Sequence, residues 1–86
     1  MNINILLGKV THYYDKLGVA IVDVQKQPMK VGDTVKITGH DKEFTQEITS
    51  LQVEHDQVSA AQPGETVGLK VDQPVKPGDK LFLASA

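Results

Sequence analysis

The sequence predicts an all-β fold, a small barrel or sandwich of about six to eight short strands. Three observations predict it. Apolar residues recur with period two over short stretches; turn signals separate those stretches; and Val, Ile and Thr are frequent while Trp is absent. The turns share one grammar. Gly32-Asp33, Gly64-Glu65 and Gly78-Asp79 each put an acid directly after a glycine, two of them behind a proline, and each leads into an aliphatic alternation. Proline fixes its own φ and glycine supplies the unrestricted position beside it.

Taken in order, Leu7 to Tyr14 reads as the first strand, with Val10, His12 and Tyr14 on one face and Lys9, Thr11 and Tyr13 on the other. Ile3 and Ile5 extend it backwards. Asp15-Lys16-Leu17-Gly18 is a tight connection, with Gly18 available for positive φ. The run from Gly18 to Val24 is almost wholly apolar and rich in β-branched residues, which predicts a strand covered on both faces. Gln25 to Asp33 reads as a loop, and Thr34 to Thr38 as an alternating strand closed by a turn over Gly39-His40-Asp41-Lys42. Phe44, Gln46 and Ile48 then fall on even positions, and Leu51, Val53 and His55 on odd ones. That change of parity predicts a bulge or sharp bend near Thr49-Ser50. Phe44, Ile48 and Leu51 also fit one helical face, but Thr45, Thr49 and Val53 are weak helix formers and no cap pair flanks them. Val58 to Ala61, Thr66 to Val71 and Lys80 to Ala84 complete the strands, and Asp72 to Asp79, with Pro74 and Pro77, is a rigid connection.

With 86 residues the chain fits a single domain, 1–86, with one modest core. It has no cysteine, which removes disulfides, thiolate chemistry and cysteine-ligated zinc. The apolar stretch at the N-terminus is too short for a signal peptide or a membrane span, so the expectation is a cytoplasmic protein without membrane contact. Net charge is −2, and all 9 basic residues are lysine. Lacking the planar fork of arginine, the chain is poorly equipped for sequence-specific DNA binding.

The ordered series of these segments carries a resemblance. Gly8-Lys9-Val10, Leu17 to Val22, Met29 to Gly39, Ile48 to Val53, Ala60 to Val71 and Val75 to Leu81 together resemble the second-domain β-barrel of translational GTPases such as elongation factor Tu and the bacterial initiation factors. The same barrel is similar to the C-terminal domain of peptidase U32-family proteins. The first resemblance implies the closed barrel of the domain 2 type and a non-catalytic role; the chain holds no phosphate-binding loop of the Gly-x-x-x-x-Gly-Lys-[Ser/Thr] kind. Two positions depart from the elongation-factor pattern: Lys16-Leu17-Gly18 stands where Gly-Arg-Gly is usual, and Lys70 where an arginine is usual. Binding of aminoacyl-tRNA therefore does not carry over.

Chemistry is sparsely signalled. His12, His40 and His55 lack close ligand spacing, so neither metal nor cofactor is expected. Ser50 and Ser59 have no base paired with them in sequence, and a small hydrolase is the least supported reading. Asp33, Glu65 and Asp79 imitate a catalytic trio, but their shared context assigns them to turns. The candidate binding surface comprises Lys9, Tyr13, Tyr14, Lys16 and Lys70, two stacking rings beside phosphate-binding lysines. The function this implies is a binding module docking on a ribonucleoprotein or a translation-associated protein, with at most weak contact to RNA. The alternative is an accessory interaction subunit of a separately encoded enzyme of the peptidase U32 type. Oligomeric state is open, since an exposed edge strand could pair two copies.

Overall fold

The computed structural model describes residues 5–39, 42–54 and 56–84. Its described elements are all strands: β1 (Ile5–Tyr14), β2 (Val19–Val24), β3 (Met29–Lys30), β4 (Thr34–Gly39), β5 (Lys42–Glu47), β6 (Leu51–Val53), β7 (Asp56–Val58), β8 (Ala60–Ala61), β9 (Thr66–Lys70) and β10 (Lys80–Leu83). Eight of them form one antiparallel sheet in the order β5-β4-β10-β1-β2-β9-β6-β7, and β3 pairs with β8 in a second, 2-stranded sheet. Among the described residues no ladder joins β5 to β7, so the closed barrel that the resemblance implies is not shown, and the strands number ten rather than six to eight. At one point a side chain stands in for a ladder. Buried Gln46 on β5 donates through Nε2 to the Lys70 carbonyl (2.9 Å) and accepts the Asp72 N–H on Oε1 (2.7 Å), which ties an edge strand to the end of β9.

The core follows the period-two pattern. Val35 and Ile37 of β4, Val67 and Leu69 of β9, and Leu81 of β10 are buried, and together with Leu7, Val10, Val22, Met29, Ile48 and Leu51 they form one cluster. Each such side chain stabilises the fold by about 1.5–3 kcal/mol through apolar area removed from water. The parity change foreseen at Thr49-Ser50 is present as a break. Chain 48–50 leaves β5, and β6 begins on the far side of the sheet. The helical alternative for this region is not realised.

Three expectations need correction. β1 carries a bulge between Val10 and His12: Val10 pairs with Val22, but His12 pairs with Ile21. An extra residue reverses every side chain beyond it. Val10 and Tyr13 therefore face the core, while His12 and Tyr14 are exposed on the outer face. Second, Gln25 to Asp33 is not all loop, since Met29 is fully buried and pairs with Ala61. Third, β2 is covered on one face only. Ala20, Val22 and Val24 are buried, whereas Val19 and Ile21 stay partly exposed on the outer face. Ile3, His40, Asp41 and His55 lie outside the described residues.

Candidate binding surface

The three Gly-acid turns have one construction. Gly32, Gly64 and Gly78 adopt φ of 99°, 94° and 98°, open only to glycine without strain. In each turn the acid's N–H donates to the carbonyl three residues back, and the carboxylate accepts that residue's N–H: Lys30 to Asp33 (3.2 Å), Gln62 to Glu65 (2.6 Å) and Lys76 to Asp79 (2.9 Å). Each turn also grips a crossing strand or strand end through two backbone bonds. Ile48 bridges Gly32 and Asp33, Val24 bridges Gly64 and Glu65, and Val10 bridges Gly78 and Asp79, at 2.8–2.9 Å throughout. The carboxylates are structural, as their context implied.

These turns hold the sheet so that one part of its outer face is a shallow apolar groove. Cross-strand pairing lines up Tyr14, Val19 and Lys70 in one row, and His12, Ile21, Gly68 and Gln52 in the next. Leu17, from the β1–β2 turn, overhangs the first row and is 62% exposed; Tyr14 is 47% exposed. Tyr14, Leu17, Val19, Ile21, Gln52, Glu54, Thr66, Val67 and Gly68 line a hollow of about 290 Å³. It continues past Leu17, Val19, Gln52 and Gly68 into a second hollow of about 420 Å³ that reaches Ser50 and Lys70. Gly68 makes the floor. A strand glycine often marks a place where another chain comes close, and here it leaves Val19 and Ile21 reachable from outside.

The expected binding surface is only partly assembled. Tyr14 borders the groove, with its ring 4.5 Å from that of His12 and tilted by 60°. Tyr13 packs against the core instead, so the two tyrosines do not form a stacking platform. Lys70 borders the groove, but its Nζ donates to the Leu17 carbonyl at 2.8 Å and so latches the β1–β2 turn. Lys9 and Lys16 are exposed and line neither hollow. Leu17, Val19, Ile21 and Gly68 were missed. The available signal was the unbroken apolar run through β2, which reads equally well as a strand with both faces buried. Among the described residues no group of three His, Asp or Glu side chains could hold a metal ion. Among the same residues no helix is long and apolar enough to cross a membrane.

Comparison with known proteins gives this surface a context. Residues 4–81 match the peptidase family U32 C-terminal domain. An uncharacterized protease of Methanocaldococcus jannaschii is 35% identical over 78 residues, covering 90% of this chain and 19% of that protein. A collagenase of Porphyromonas gingivalis is 30% identical over 79 residues, covering 91% of this chain and 19% of that protein. The chain thus spans about a fifth of the length of the curated relatives it matches. The crystal structure of the C-terminal domain of a Geobacillus thermoleovorans protein named as a U32 peptidase superposes with a TM-score of 0.86 at 27% identity, covering 95% of this chain and 93% of that one. Its selenomethionine variant gives 0.84 at 29% identity, with 90% and 96% covered. These relatives lend no support to the translational GTPase resemblance.

Proposed function

The chain belongs to the peptidase family U32 C-terminal domain family, and from this premise we propose that it is a non-catalytic interaction module that docks on the body of a U32-type enzyme. The match over residues 4–81 carries the reading, because the same module makes up only about a fifth of relatives named as a protease and a collagenase. Cleavage of polypeptide is assigned to the remaining four fifths, and this chain contributes a contact surface. The groove around Ile21 and Gly68 is that surface. It offers contiguous apolar side chains rimmed by Gln52, Glu54 and Thr66, the arrangement of an interface with an apolar centre and a polar rim. The occupant is a surface of the U32 body, the part that accompanies this module in the relatives. A ribonucleoprotein partner of the translation-factor kind has no comparable support.

Calorimetric titration of the chain into a U32 peptidase lacking its own C-terminal domain tests the proposal. The expected result is a 1:1 complex with a dissociation constant of about micromolar strength. An Ile21→Asp variant, which places a charge in the groove, is expected to bind at least about tenfold more weakly while melting at nearly the wild-type temperature. Absence of binding by the folded wild-type chain would overturn the reading.

A further inference from the structure

A second concavity lies on the opposite side of β1, away from the groove. Thr38, Gly39, Lys76, Pro77, Gly78, Asp79 and Lys80 line a hollow of about 410 Å³. Its charge pattern sets it apart from the other two Gly-acid turns. Lys30 and Thr34 flank the first of those, and Gln62 and Thr66 the second. Only the third, Lys76-Pro77-Gly78-Asp79-Lys80, has a lysine on both sides. Lys9 does not line the hollow, but the β1–β10 register sets it directly opposite Lys80. Like charges facing each other across a ladder destabilise a sheet unless something neutralises them.

The one carboxylate that lines the hollow among the described residues does not neutralise them. Asp79 is turned inward and only 5% exposed. It takes the Lys42 ammonium at 2.7 Å and the Lys76 N–H at 2.9 Å, so a fourth lysine already balances its charge. Among the described residues the acids across the strands serve other lysines. Asp23, whose charge is not neutralised by the Thr66 hydroxyl it accepts at 2.9 Å, faces Lys9, and Glu43, opposite Thr38, pairs with Lys36 at 3.7 Å. Lys76 and Lys80 are left without a facing acid among those residues. Lys9, Lys76 and Lys80 are all exposed and form no ion pair among the described residues. Space for a ligand is present: nothing lies within 4 Å of where a Cβ would stand on Gly78. Thr38 adds a hydroxyl beside Lys80, its partner on β10.

We propose that this hollow binds a phosphate-type oxyanion between Lys76 and Lys80, with the Thr38 hydroxyl completing the site. Ammonium groups bind phosphate as point charges and need no fixed fork, which suits a chain without arginine. The anion would neutralise Lys76 and Lys80, which no acid faces among the described residues. The inference is independent of the peptidase reading, since it uses neither the groove nor a protein partner.

The test is a titration of the isotope-labelled chain with inorganic phosphate, followed at the amide signals of Gly39, Gly78 and Lys80, beside potassium chloride at matched ionic strength. Saturating shifts are expected with phosphate only. A double variant, Lys76→Gln with Lys80→Gln, alters two exposed side chains and is expected to bind at least about tenfold more weakly with its signal dispersion intact. Lys30→Gln, at the equivalent place in another turn, is expected to bind as wild type. A linear response shared with chloride, or saturation retained by the double variant, would overturn the proposal. A second arm uses short oligouridylate. Saturation at lower concentration than phosphate, lost in the same variant, identifies a phosphodiester strand as the source; equal or weaker binding identifies a free anion. Both outcomes support the site.

Discussion

The turn at Gly78-Asp79 shares its backbone hydrogen bonds with the turns at Gly32-Asp33 and Gly64-Glu65, yet only its acid is driven into the interior. Asp33 and Glu65 stay partly exposed and bond to one backbone N–H each. Asp79 lies beneath the turn end of the β4–β5 hairpin, where β4 stops at Gly39 and β5 starts at Lys42. Gly39 approaches so closely that a Cβ there would stand 2.6 Å from the Asp79 Cγ, and Lys42 places its ammonium on the carboxylate. The lesson is that local turn chemistry sets hydrogen bonding, while burial comes from what folds across the turn. An acid at the same turn position is a surface cap in two places and half of an ion pair in the third.

The largest expected effect breaks this comparison at its centre. Asp79→Ala removes the partner of Lys42 and leaves the Lys76 N–H unpaired, at an expected loss of about 2–4 kcal/mol. That is below the full penalty for a broken buried pair, because the Lys42 side chain is 21% exposed and can turn to water. Asp33→Ala and Glu65→Ala are expected to cost only about 0.5–1.5 kcal/mol each. Denaturant unfolding of all three measures the difference, and equal losses would remove the distinction.

Gly39→Ala forces the hairpin off the Asp79 carboxylate. It is expected to cost about 1–3 kcal/mol, and the loss should shrink when Asp79 is already alanine. A double-mutant cycle reads this coupling directly. The glycines of the turns sharpen the comparison from the other side. A Cβ at Gly32, Gly64 or Gly78 meets nothing within 4 Å, so the penalty is backbone strain alone. The three Gly→Ala variants should each lose about 1–2 kcal/mol, with no extra loss at the buried turn. The smallest effect belongs to Lys70→Met, which releases the Leu17 carbonyl and is expected to cost under about 1 kcal/mol. Amide exchange at Gly18 should rise, because that turn loses its latch.

Much of this was legible in the sequence. Alternation in Thr34 to Thr38 and Thr66 to Lys70 identified β4 and β9, and the parity change after Ile48 identified the break before β6. The Gly-acid signals identified three turns of one construction. What was not legible depended on pairing. Nothing in Val10-Thr11-His12-Tyr13-Tyr14 marks where the extra residue of a bulge falls, so the inward and outward tyrosines were exchanged. The two-residue β3 is fixed by Ala60 and Ala61, far along the chain, and has no local period of its own. The site suffered for the same reason. Apolar Val19 and Ile21 predicted burial on both faces of β2, and only the assembled sheet shows that among the described residues nothing covers its outer face beside Gly68. Adjacent Tyr13 and Tyr14 beside Lys9 and Lys16 suggested a stacking platform, while register left Tyr13 in the core and Lys70 tied to a carbonyl.

The most direct test of the functional account is a footprint of the partner on this chain. The labelled protein is mixed with a U32 peptidase body lacking its own C-terminal domain, and amide signals are followed residue by residue. The account predicts that signals of Leu17, Ile21, Gly68 and Gln52 shift or broaden together, while those of Lys36 and Phe82 on the far side of the sheet stay in place. Binding centred on β4 and β10, or no footprint from a folded partner, would contradict it.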